Sequence, residues 1–104
     1  PLEKDIALGA YPFTVDEPLY EPGDGRGTVT CVVGNESDKT IDDASVEVML
    51  FDLEGRFVGG GEGFLPVLIP GGKARAQVDV FVVSDGQPAR IEVYPAITSI
   101  TTVR

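Results

Sequence analysis

The chain has 104 residues, 42% of them hydrophobic, which suits a single domain over residues 1–104 with one core and excludes a disordered polypeptide. Thirteen glycines and eight prolines punctuate it too often for a long helix, and no apolar run approaches the roughly 20 residues that span a bilayer. Eight basic against seventeen acidic residues, a net charge of −9, leave no basic patch for nucleic acid and disfavour anionic membrane surfaces.

Strand signals separated by turn chemistry then succeed one another along the chain, the pattern of a sandwich or barrel. The first predicted strand covers 6–15 and is broken by Gly9 and Pro12, as suits an edge strand bending between sheets. A polar connection over 16–26 carries Pro18, Pro22, Gly23 and Gly25. The second strand, 27–34, puts Val29, Cys31 and Val33 on one face and Thr28, Thr30 and Val32 on the other. Residues 35–43 form a loop. The third strand, 44–53, alternates Val46, Val48 and Leu50 with Glu47, Met49 and Phe51. Asp52-Leu53-Glu54-Gly55 reads as a hairpin turn with Gly55 at positive φ. A fourth strand, 57–64, contains Gly59, Gly60 and Gly61, which suit a twisted, bulged edge strand. After a short apolar link and the Pro70-Gly71-Gly72 turn comes 74–83, with Ala76, Val78, Val80 and Val82 on one face. A turn at 84–88 leads to 89–94, where Ile91 and Val93 face inward. Pro95 separates this strand from a last one, 96–103, rich in Ile and Thr.

Residues 29–80 resemble the FxLYD domain family. The resemblance rests on Val33-Gly34-Asn35-Glu36-Ser37 after a strand, and on Val46-Glu47-Val48-Met49-Leu50-Phe51-Asp52-Leu53-Glu54-Gly55 running into a turn. Phe57-Val58-Gly59 and Leu68-Ile69-Pro70-Gly71-Gly72 complete it. Leu50-Phe51-Asp52 departs from the family's Leu-Tyr-Asp. The resemblance implies an immunoglobulin-like antiparallel β-sandwich of seven to eight strands, and an exported setting: extracellular, periplasmic or cell-surface. It brings no catalytic residues.

The chemistry of the side chains points away from catalysis. With no histidine there is neither a Ser-His-Asp nor a Cys-His arrangement, and no cofactor is implied. Cys31, alone and mid-strand, belongs in the core as an inert thiol. Asp38, Asp42 and Asp43 share one loop and are the candidate metal ligands, calcium taking oxygen donors from such loops. Their spacing lacks the Asp-x-Asp-x-Asp-Gly pattern, and a solvated acidic loop is the simpler account of them. Gly59-Gly60-Gly61-Glu62-Gly63 lacks the Lys-Ser/Thr of a phosphate loop.

The strand faces are more informative. With Val46, Val48 and Leu50 inward, Met49 and Phe51 face outward, and Tyr94 joins them. Such an apolar patch either marks an interaction site or is covered by the chain's own Tyr11-Pro12-Phe13. Residues 96–103 carry no charge, so Ile100 and Thr102 mark a second expected contact surface at a strand edge. The expected function is a non-enzymatic module that binds a protein partner or itself, with no nucleic acid, membrane insertion or small-molecule ligand. The alternatives are a calcium-stabilised adhesion domain and a filament subunit joined through strand edges.

Overall fold

The structure, a computed structural model, describes the backbone of residues 3–4 and all of residues 12–97. It is all-β, with no helical residue among those described. Strand β1 is Glu3–Lys4, β2 Phe13–Pro22, β3 Arg26–Asn35, β4 Ala44–Phe51, β5 Phe57–Leu65, β6 Lys73–Val82 and β7 Arg90–Ile97. They form one ladder in the order β1-β7-β4-β5-β6-β3-β2. Strands β2 to β7 pair antiparallel, and the two residues of β1 lie parallel to β7 at Arg90 and Ile91. The ladder curls into a half-barrel around the core.

Alternation decides which side chains enter that core. Val29, Cys31, Val33, Val46, Val48, Leu50, Val78, Val80, Ile91 and Val93 are all buried, each a period-2 position of its strand. Phe13 and Val15 of β2 and Leu65 of β5 add to them, as do Ile41 and Leu68 from the loops.

Strand β5 turns the ladder over. Opposite the inward Val46, Val48 and Leu50 of β4 stand Gly63, Gly61 and Gly59. The inner side of β5 is therefore bare, and the backbone of β6 lies against it. A Cβ at Gly59 would sit 2.1 Å from the Phe81 carbonyl oxygen, and one at Gly61 2.2 Å from that of Asp79. Any side chain there would push the two strands apart. The bulge expected of this strand falls at Val58, just before the glycine run, and the strand is not an edge: β5 lies between β4 and β6.

Three other strand expectations need correction. Strand β2 continues to Pro22, where the sequence reads as a polar connection from residue 16. A bulge between Asp16 and Leu19, with Glu17 at φ 55°, takes up the irregularity around Pro18, and an edge strand tolerates prolines. Pro95 does not end a strand: β7 runs through it to Ile97, with Pro95 opposite Val46. Beyond Ile91, β7 has only β4 beside it among the described residues, so a missing N–H is tolerated there. The expected separate strand over 96–103 begins as the end of β7, and the rest of it lies outside the described residues.

Candidate interaction face

The outer face of β5, β4 and β7 is a grid of side chains in four rows. From one end to the other the rows are Phe57–Phe51–Arg90, Gly60–Met49–Glu92, Glu62–Glu47–Tyr94 and Phe64–Ser45–Ala96. Met49, Phe51 and Tyr94 thus share one outward face, as alternation predicts, each half-buried. They do not form one apolar patch, because Glu47 and Glu92 stand between Tyr94 and the other two. Ile100 and Thr102 lie outside the described residues, as does Tyr11. Phe13, the other candidate cover, is buried in the core and so does not lie over this face.

The first row extends further than alternation alone indicates. Between Leu50↔Gly59 and Phe51↔Phe57 the pairing shifts by one residue, with Val58 as the extra one on β5. Without this bulge Phe57 would share the inward parity of Gly59 and Gly61; with it, Val58 enters the core and Phe57 turns out beside Phe51. Phe51 and Phe57 meet edge to face at 6.0 Å between centroids, and Phe57 meets Phe81 of β6 at 6.1 Å. The Arg90 guanidinium lies 4.7 Å from the Phe51 centroid, a cation–π contact that closes the row on β7. Phe57 and Phe81 remain 51% and 52% exposed despite these contacts, which marks them as surface groups with apolar area still open to water.

Polar contacts hold the neighbouring positions. Arg90 Nη2 donates to Glu92 Oε2 at 2.8 Å, and the Tyr94 hydroxyl donates to Glu92 Oε1. The hairpin beyond Phe51 is fixed by Asp52, whose Oδ1 accepts from the Glu54 and Arg56 amides at 2.9 Å each. Gly55 sits there at φ 83°, the positive value expected of it. The Arg56 amide above all holds the Asp52 carboxyl below the usual range; burial opposes it, and the Arg56 side chain and the Glu54 amide add smaller pulls in the same downward direction. Beside this hairpin an open depression of about 520 Å³ is lined by Leu53, Glu54, Arg56, Asp85 and Pro88 among others.

Asp38, Asp42 and Asp43 are exposed in the loop between β3 and β4. Among the described residues no group of three His, Cys, Asp or Glu side chains could hold a metal ion. What organises this loop is Asn35, whose side chain is fully buried. Its Nδ2 donates to the carbonyls of Lys39 at 2.8 Å and Leu68 at 3.0 Å, and its Oδ1 accepts from the Ser37 amide and hydroxyl. Its main chain bonds to Gly71 and Gly72, and Ile41 pairs with Leu68. The loop is thereby tied to the β5–β6 connection. Asn with Ser two residues later is the one sequence signal for this, an Asx turn. Cys31 is buried, and burial pushes its thiol above the usual value, opposed by the nearby Arg75 charge. A scan against protein-family models finds no match to this chain, and searches of curated proteins and of solved structures find none either.

Proposed function

We propose that this chain is a non-enzymatic protein-interaction module built on an immunoglobulin-like sandwich of the FxLYD kind, of an exported or surface protein. The sandwich reading is supported by the join between the two halves of the ladder. Only Gly59↔Val82 and Gly60↔Phe81 link β5 to β6, after which the glycine face of β5 meets β6 from above. The two halves, β2-β3-β6 and β5-β4-β7, then share one core. The observation that carries the interaction reading is the aromatic row. A small acidic domain keeps Phe57 and Phe81 half in water, and a contiguous aromatic surface of this kind is what partner contacts use.

The test is site-directed photocrosslinking in the source cells, with p-benzoylphenylalanine at position 57 and, as control, at position 28 on the outer face of β3. One identified protein captured at 57 and not at 28, rebinding when purified, and lost with Phe81→Ser, bears the reading out. Equal capture at both positions, or none at 57, refutes it.

A further inference from the structure

On that reading, we infer that the face of β5, β4 and β7 accepts an extended partner segment whose facing side chains, every second residue, carry a basic one between apolar ones. The inference starts from Glu47 and Glu62. They are Cα partners across β4 and β5, both point outward and both are exposed. Side chains directly opposite in an antiparallel pair stand about 5 Å apart at Cβ, and like charges so placed are destabilising. Among the described residues no cation lies within ion-pair distance of either to relieve the pair. The one cation in the four rows of this face, Arg90, bonds Glu92 and stacks on Phe51.

The uncompensated carboxylates lie between apolar groups. On one side are Met49 and the Phe57–Phe51 row; on the other is Phe64, 75% exposed and two residues beyond Glu62 on the same strand face. Successive outward positions on a strand are about 6.6 Å apart, the repeat of an extended chain laid along the face. A segment so placed sets apolar side chains against Phe57 and Phe64 and a lysine or arginine between Glu47 and Glu62. The same charges repel anionic lipid and nucleic acid, so the occupant is a polypeptide with basic character.

Three fluorescent twelve-residue peptides test this, with serine at the even positions and Phe or Val at the odd ones, except that position 5 is lysine, glutamine or glutamate and so stands on the same face as its apolar neighbours. The lysine peptide should bind at least about tenfold more tightly than the glutamate one. It should weaken with added salt and shift the amides of Glu47, Gly60 and Glu62 in NMR spectra. Glu47→Gln with Glu62→Gln should reduce lysine-peptide affinity about five- to tenfold and leave the glutamine peptide unchanged. Glu36→Gln with Asp38→Asn, which removes the same charge from the β3–β4 loop, should leave the affinity for both peptides unchanged. Equal effects of the two double variants would mean attraction to net charge alone, and the inference fails. If all three peptides bind alike and Phe57→Ser abolishes binding, the interaction module stands and its basic specificity does not. If none binds at about 1 mM, the inference is overturned while the crosslinking result still decides the broader reading.

Discussion

Replacing Asn35 is the most demanding test of the fold, because one buried amide joins two loops. Asn35→Ala removes the donor to the Leu68 carbonyl, a buried bond between groups 33 positions apart. That carbonyl keeps the Ile41 amide as a donor at 2.9 Å, so losing the Asn35 bond costs about 1 kcal/mol. The bonds to Lys39 and Ser37 are only partly buried, so each contributes about 0.5–1 kcal/mol. Together the loss is about 3 kcal/mol, or a fall in melting temperature of about 12–24 °C for a domain of this size. Urea unfolding of the two proteins measures it directly. Asn35→Asp keeps the shape and the acceptor but turns a carboxylate oxygen toward two carbonyls. The charged form is then disfavoured in the fold, so the introduced group has a folded pKa above its unfolded value of about 3.9. Its deficit relative to the parent is therefore smallest below the unfolded value, where the neutral acid can donate one bond. The deficit grows as pH rises through the unfolded value and levels off above the raised folded one. At neutral pH this variant should be at least as unstable as Asn35→Ala. A loss under 1 kcal/mol for Asn35→Ala, or a more stable Asn35→Asp at pH 7, would refute the reasoning.

Other substitutions probe the remaining devices. Gly61→Ala should lower stability by about 3 kcal/mol or more, because its Cβ would meet the Asp79 carbonyl, a backbone atom that cannot swing aside; a shift of under 1 kcal/mol by urea unfolding would mean β6 does not lie on that face. Gly55→Val should cost about 1 kcal/mol or more through strain at positive φ alone, since no atom crowds its Cβ; calorimetry showing an unchanged melting temperature contradicts the hairpin assignment. Cys31 should react with a thiol reagent only as fast as the domain opens, and at once in denaturant; rapid labelling of the native protein would place it outside the core. The Asp52 carboxyl should titrate below the ordinary range by NMR, so its support of the hairpin is present above the unfolded pKa and lost as pH falls through the lower folded one. Since the Arg56 amide is the largest cause, Arg56→Ala should leave the carboxyl still below its ordinary value; a return to the ordinary value would assign the depression to the side chain instead.

Alternation makes the core legible where strands are regular. Val29, Cys31 and Val33, or Val46, Val48 and Leu50, are read directly because a period of two leaves one face for burial. The same rule fails at each bulge, since one inserted residue reverses the parity of every later position. Phe57 and Val58 exchange faces for that reason, and the aromatic row is only half visible in the sequence, through Phe51, without the pairing register. Proline misleads in a different way. Pro18 and Pro95 read as breaks, yet proline ends a strand only where its absent N–H is needed by a neighbour, and that depends on which side of the strand is occupied. Asn35 is visible as a turn residue, but its reach to Leu68, 33 positions away, is a tertiary fact with no local trace.

How the chain treats its edges bears on how it would meet a partner. A sheet recruits another strand through unpaired backbone groups, and natural edges are spoiled with prolines and bulges to prevent it. Strand β2, one end of the ladder, carries Pro18 and Pro22, a bulge and Glu17 in the left-handed region. That edge is poorly shaped for strand addition. The outer face of β5 and β4 has the opposite character: its strands are internal to the ladder, and apolar side chains stand exposed on it. A partner meeting this face engages side chains and not backbone, so its selectivity comes from the sequence of the segment it presents. This favours a binding module over a filament subunit joined through β2. The two diverge in one measurement. On the proposed reading the residue serves a different protein and not a second copy, so sedimentation of Phe57→Ser should show the same mass as the parent. A parent that is larger than its own variant would turn the argument toward self-assembly through the aromatic row.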